Sequence, residues 1–125
     1  MPLTISKTIR PNAVWQEMYL QIKKNQRVII TAEGLWSPEM RPATILWCGP
    51  DGIQNRLGGE EYLLPGTNLG SLIARVGSDN SMIPIGVYHD FFSPFEGPLF
   101  LAMNENPEYH NQAGAVQAQI IIFNL

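Results

Sequence analysis

An all-β chain of about seven or eight short antiparallel strands, forming one β-sandwich or barrel domain over residues 1–125, is predicted by three observations. Ten prolines and eleven glycines are spread along the sequence and leave few windows for a helix. Short runs alternate apolar and polar residues at the period of a strand. Turn-forming residues separate these runs, with no linker or internal repeat to divide the chain. A length of 125 residues suits one domain and buries a core without disulfide or metal staples.

The elements follow in order. LTISK (3–7) reads as a short first strand. VWQEMYLQI (14–22) alternates, with Met18, Leu20 and Ile22 inward and Glu17, Tyr19 and Gln21 outward. KKNQ (23–26) reads as a turn into RVIITAE (27–33), where Val28, Ile30 and Ala32 share a face; together these predict a hairpin. Pro38 and Pro42 block regular structure after GLW (34–36), and ILWC (45–48) is a candidate strand. The stretch 49–68 is rich in turn residues, including Asp51–Gly52, and longer than most loops of a compact domain, a length that often marks function. GSLIARVG (70–77) is a strand closed by the turn GSDNS. MIPIGVY (82–88) is a strand edged by Pro84. PLFLAM (98–103) places Leu99, Leu101 and Met103 on one face. AVQAQIIIF (115–123) groups Val116, Ala118, Ile120 and Ile122, with Gln117 and Gln119 opposite. Ile121 and Phe123 make that outer face apolar near its end, as a covered sheet or a subunit contact requires.

The formal charge is −3, and the basic residues Lys7, Arg10, Lys23, Lys24, Arg27, Arg41, Arg56 and Arg75 are scattered. Nucleic-acid binding, which needs a basic patch, is not expected. Cys48 is the only cysteine, so an internal disulfide and a thiolate metal cluster are both excluded. A lone cysteine fits the cytoplasm as well as a folded exported chain. MPLTISKTIR lacks the apolar core of a signal peptide, and no run reaches transmembrane length. There is no GxGxxG, P-loop or HExxH pattern. His89 and Asp90 are neighbours and, on a strand, point to opposite faces. Cys48 follows Trp47 in an apolar run and reads as a buried, inert thiol. Glu60 and Glu61 alone make no acid/base pair. Phe91, Phe92 and Phe95 suit either core packing at a sheet edge or an exposed partner surface. The expectation is a protein that is not an enzyme.

The polar stretch NENPEYHNQAG (104–114) falls between two apolar runs. Hard cations want several converging oxygens, and Glu105, Asn106, Glu108, Asn111 and Gln112 offer them. The same groups suit sugar hydroxyls. A solvated hairpin with a turn at Asn106–Pro107 explains the composition equally well, and both readings stay open on composition alone.

Order along the chain adds a resemblance. GSLIARVGSDNSMIPIG (70–86), then GPLFLAMNENPEYHNQAG, with GLW (34–36) and WCGPDG (47–52) before them, resembles the family of the galactose-binding, calcium-dependent bacterial PA-I lectin. The likeness covers most of the chain after residue 14. It implies a jelly-roll-like β-sandwich of two curved antiparallel sheets, calcium, galactose, and export without a classical signal peptide. Carried over residue by residue, it implies a metal site of Glu105, Asn111, Gln112 and the Pro38 backbone carbonyl. The implied ligand-binding set is Glu105, Glu108, Asn111 and Gln112, with Asp51 and Gln54 in the facing loop.

This sequence departs from the family pattern at that site. Glu105 stands where the family has aspartate, and Gln112 where it has asparagine; each moves its oxygens outward by about one C–C bond. His110 is a poor hard-cation neighbour. The family's threonine has no counterpart, Glu108 being the nearest substitute. Calcium is therefore expected to be weak or absent. The leading expectation is a lectin-like protein, secreted or at the cell surface, that binds a surface glycan or exopolysaccharide and affects attachment. A homo-oligomer would multiply a weak site. The alternative is a protein-interaction or structural module that kept the fold and lost calcium and galactose binding. Hydrolysis of a glycan would need a carboxylate pair, for which Glu61 and Glu105 are the candidates.

Overall fold

Alternating burial along each strand requires two layers, and that is what a computed structural model of the protein contains; it describes residues 2–40, 45–78 and 80–124. The strands are β1 (Leu3–Ile9), β2 (Gln16–Ile22), β3 (Arg27–Ser37), β4 (Leu72–Val76), β5 (Met82–Pro84), β6 (Tyr88–Phe92), β7 (Gly97–Met103) and β8 (Ala113–Ile122). They form two four-stranded sheets, ordered β1-β8-β3-β6 and β2-β7-β4-β5, and every pairing is antiparallel. The fold is thus the all-β, two-sheet sandwich expected from the sequence.

The core lies between the sheets. Val28 and Ile30 of β3 and Val116, Ala118, Ile120 and Ile122 of β8 face Leu72, Ala74 and Val76 of β4 and Leu99, Leu101 and Met103 of β7; all are buried in one cluster. Each large aliphatic side chain removed from water there contributes about 1.5–3 kcal/mol. Among the described residues, no helix is long and apolar enough to cross a membrane.

Three local expectations are corrected. The segments 14–22 and 27–33 do not form a hairpin. Gln16 of β2 pairs with Leu101 of β7, whereas β3 pairs with β6 and β8. Residues 23–26 carry the chain from one sheet to the other, with Asn25 at φ 68°. Gln26 holds this corner: its Oε1 accepts from the Lys23 N–H at 2.9 Å, and its Nε2 donates to the Phe123 carbonyl at 2.8 Å. Alternation identifies the buried face of a strand, but does not say which strand lies beside it. The run 82–88 is likewise divided. It leaves the sheet at Pro84, and the Ile85 and Gly86 N–H groups both donate to the Leu72 carbonyl before β6 begins in the opposite sheet. Of 45–48, only Cys48 is paired, in an isolated bridge with Trp36. Pro42 and Asp79 lie outside the described residues. In β2 a register shift between Glu17 and Gln21 centres on Tyr19 at φ 59°, so Leu20 is only half-buried and Tyr19 faces water.

Candidate functional site

The long β3–β8 ladder sets the site at one rim of the sandwich. Its last pairs are Trp36 with Gly114 and Ser37 with Ala113, so the segment leaving β3 meets the segment entering β8. Trp36 is fully buried and donates its Nε1–H to the Gly70 carbonyl at 2.7 Å. That bond ties the first residues before β4 to the same rim. Gly114 has φ +80°; a Cβ there would meet the Leu35 carbonyl oxygen and lie 2.7 Å from Trp47 Cζ3. The late polar loop and the tryptophan-bearing segments therefore lie together.

The carboxylate of Glu105 is the centre of this rim. Glu105 is fully buried. Its Oε2 accepts from the Glu39 N–H at 2.7 Å and from Gln112 Nε2 at 3.1 Å, and its Oε1 accepts from the Asn106 N–H at 2.9 Å. Glu39 answers from the other side: its Oε1 accepts from the N–H groups of His110 at 3.1 Å and Asn111 at 3.0 Å. Two buried carboxylates thus cross-link the segment after β3 to both arms of the late loop. Burial pushes the Glu105 carboxyl above its usual range, the hydrogen bonds from Glu39, Asn106 and Gln112 oppose that rise, and the Glu39 carboxylate adds to it. Next to them, Asn104 pins the long connection. Its Oδ1 accepts from the Leu64 N–H at 2.9 Å, and its Nδ2 lies 3.0, 3.1 and 3.2 Å from the carbonyls of Leu64, Thr67 and Asn68. Tyr62 of that connection has its phenol pushed up to about 12, mainly by burial and then by the nearby Glu105 charge.

This donor set does not fit calcium. A hard cation needs oxygen lone pairs converging on one point. Here amide N–H groups converge on the carboxylates, and their hydrogens hold the positions a cation would take. Of the expected metal residues, Asn111 keeps its side chain exposed, and the other three are engaged. Glu105 and Gln112 bond each other, Asn111 directs its backbone N–H to Glu39, and the Pro38 carbonyl accepts from Ser37 Oγ at 2.8 Å. Among the described residues, no group of three or more His, Cys, Asp or Glu side chains is placed to hold a metal.

The expected ligand residues fall into separate groups. Glu105 is fully buried and its carboxylate is occupied by three hydrogen bonds. Gln112 is half-buried, and its Nε2 also donates to the Tyr109 carbonyl at 2.7 Å. Glu108 and Asn111 are exposed. Asp51 and Gln54 lie with Gly52 and Asn68 around a cleft of about 330 Å³ that takes no lining from the late loop. Asp51 Oδ1 accepts from the Val87 N–H at 2.9 Å, and Asn68 Nδ2 donates to the Asp51 carbonyl at 3.2 Å. Gly52 makes the cleft's corner at φ +78°, where a Cβ would lie 2.5 Å from the Leu69 carbonyl oxygen. Asn68 joins the two regions, since its own carbonyl meets Asn104 Nδ2. Sequence reasoning missed Glu39, Asn68, Tyr62 and the pinning role of Asn104. Glu39 lies 66 positions from Glu105, and no local pattern marks such a pair.

The catalytic readings find no support in this geometry. His89 stacks on Phe91 with ring centroids 4.8 Å apart, while Asp90, on the other face of β6, takes a two-pronged bond from Arg27 at 3.0 and 2.7 Å. The Arg27 guanidinium holds the Asp90 carboxyl below its usual range. Burial pushes the Cys48 thiol up to about 11, which suppresses the nucleophilic thiolate. Glu105 is unavailable to partner Glu61 across a cleft. The phenylalanines divide: Phe91 and Phe95 pack on the core, and Phe92 is 68% exposed.

No protein-family model matches the chain, and no curated protein matches it. Among solved structures, it is similar to one described as "EclA N-terminal domain; PllA-like lectin", with a TM-score of 0.69, 22% identity, and 94% of each chain covered. An identity that low speaks for the backbone arrangement and leaves the site to be read from its own residues. The chain therefore has, over nearly its whole length, the two-sheet sandwich fold of a lectin.

Proposed function

We propose that this chain is a non-enzymatic glycan-binding domain that works without calcium. The observation that carries the reading is the polar cleft of Asp51, Gly52, Gln54 and Asn68 at the rim of a lectin-like sandwich. Its size, about 330 Å³, lies at the lower end of the range for small-molecule sites, about 300–1,000 Å³. The Val87 N–H fixes the Asp51 carboxylate as an acceptor for sugar hydroxyls. Gln54 adds a donor and an acceptor from one amide. Glu108 and Asn111 offer further exposed groups on the late loop. The Glu39–Glu105 network keeps that loop in place where a cation would otherwise do so.

A shallow polar site of this kind binds weakly, and repetition in a homo-oligomer raises the avidity. The ligand in this reading is a surface glycan or exopolysaccharide, met outside the cell after non-classical export, with attachment as the outcome. A glycan array probed with calcium and with chelator tests the reading. The expected result is the same sugar signal in both, weakened about tenfold or more in Gln54→Ala and Asp51→Asn, as loss of buried or charge-assisted hydrogen bonds predicts. A signal that vanishes with chelator refutes the calcium-free mechanism.

One observation favours a second reading, that of a protein-interaction module. The edge strand β6 carries Phe92 at 68% and Tyr88 at 58% exposure beside unpaired backbone. No sugar signal in either condition, together with binding to a protein lost in Phe92→Ser, would select it.

A further inference from the structure

A second polar surface lies away from the rim, on the outer face of the β1-β8-β3-β6 sheet. Strand register brings Thr8, Gln117 and Glu33 into one row, and Ser6, Gln119, Thr31 and Tyr88 into the next. Between them, over the backbone of Ala32 and Ala118, whose side chains turn into the core, lies a groove of about 380 Å³. Gln117 is steadied from one side, its Nε2 donating to Thr8 Oγ1 at 2.6 Å. Tyr88, opposite Thr31 in register and outside the groove's lining, is 58% exposed on the edge strand beside it.

We propose that this groove binds a stretch of neutral, hydroxyl-rich polysaccharide, independently of the rim cleft. The side chains that line it are almost all uncharged hydrogen-bonding groups. Amides and hydroxyls offer both donors and acceptors, and sugar hydroxyls need both. Among the described residues, Glu33 is the one charge in the lining and no lysine or arginine enters it, so an anionic polymer is disfavoured. The centre of a protein–protein contact is apolar and aromatic, and this lining is not. Gln117 and Gln119 lie two residues apart on one strand face, about 6.8 Å, and neighbouring strands add polar groups at about 4.8 Å. That ladder suits a repeating chain better than a single sugar. Tyr88 supplies a flat apolar surface against which the C–H face of a pyranose packs, while its hydroxyl stays wet.

Affinity electrophoresis of the intact chain tests the inference, in gels containing galactomannan or dextran as neutral probes and alginate as the anionic probe. Wild type should be retarded by a neutral polymer and not by alginate. Gln119→Ala with Glu33→Ala should weaken that retardation about five- to tenfold, as two hydrogen-bonding groups are lost. These positions are exposed, and the thermal midpoint of the double variant confirms folding. Gln54→Ala in the rim cleft should leave polymer retardation unchanged, which separates this inference from the proposed rim function. Retardation by neither neutral polymer overturns the proposal, and so does undiminished retardation of the face variant. A dimer in solution that Gln119→Arg dissociates would also overturn it, since the face would then be covered by a second copy.

Discussion

Removing the Glu105 carboxylate is the perturbation that weighs most on this account of the rim. In Glu105→Ala, the buried N–H groups of Glu39 and Asn106 lose their acceptor, and so does one hydrogen of the Gln112 amide. Each orphaned buried donor costs about 1–3 kcal/mol, and relief of an ionised carboxyl held in a dry site returns part of that. The net loss is expected at about 2–4 kcal/mol, a fall in Tm of about 8–16 °C for a chain of this size. Glu105→Gln keeps one oxygen but turns an NH2 toward a second donor, and should lose about 1–3 kcal/mol. Urea unfolding followed by tryptophan fluorescence measures the global effect, and hydrogen exchange at the Glu39 and Asn106 amides the local one. A Glu105→Ala variant within about 0.5 kcal/mol of wild type, with both amides still protected, would refute the reasoning.

The remaining expectations follow from the same contacts. Millimolar calcium or chelator should leave the wild-type Tm unchanged; a folded-state site filled at a hundred times its Kd would add about 2.7 kcal/mol and show as a clear rise. The folded pKa of Glu105 is raised above the ordinary 4.5, so its contribution is fully present below that value and is lost as pH rises through the folded value. The stability gap between wild type and Glu105→Gln should therefore narrow as pH rises, measured by urea unfolding across the acidic to neutral range. Gly114→Ala must hold a side chain at φ +80° against the Leu35 carbonyl and Trp47, and should cost about 1–3 kcal/mol by thermal unfolding. Cys48, buried and with its thiol pushed up to about 11, should resist alkylation at pH 8 in the native chain and react at once in denaturant.

A cation and a pair of carboxylates solve the same problem in opposite ways. Calcium gathers oxygens; Glu39 and Glu105 gather N–H groups. In both cases loops that share no strand pairing are tied by a charge buried among dipoles of the other sign. The longer glutamate arm at 105, which would displace oxygens from a calcium cage, instead reaches the Glu39 backbone.

The sequence by itself determined the class of fold and the composition of the core. Alternation along 27–33, 98–103 and 115–123 named the buried face of each strand correctly, because side-chain period is a local property of the chain. It also placed a polar loop at 104–114, two residues into what the structure makes β8, since an apolar sheet must end where residues such as Asn104 and Pro107 begin. Only the tertiary structure decided which strand lies beside which, so that the apparent hairpin of 14–33 became a corner between two sheets. Only it decided the site as well. Glu39 meets Glu105 across 66 positions, Asp51 and Gln54 part company with the late loop, and the Gln119 face forms a groove with Thr31 and Glu33. Those relations depend on register between distant strands, which the packing of the whole core selects and no local window contains.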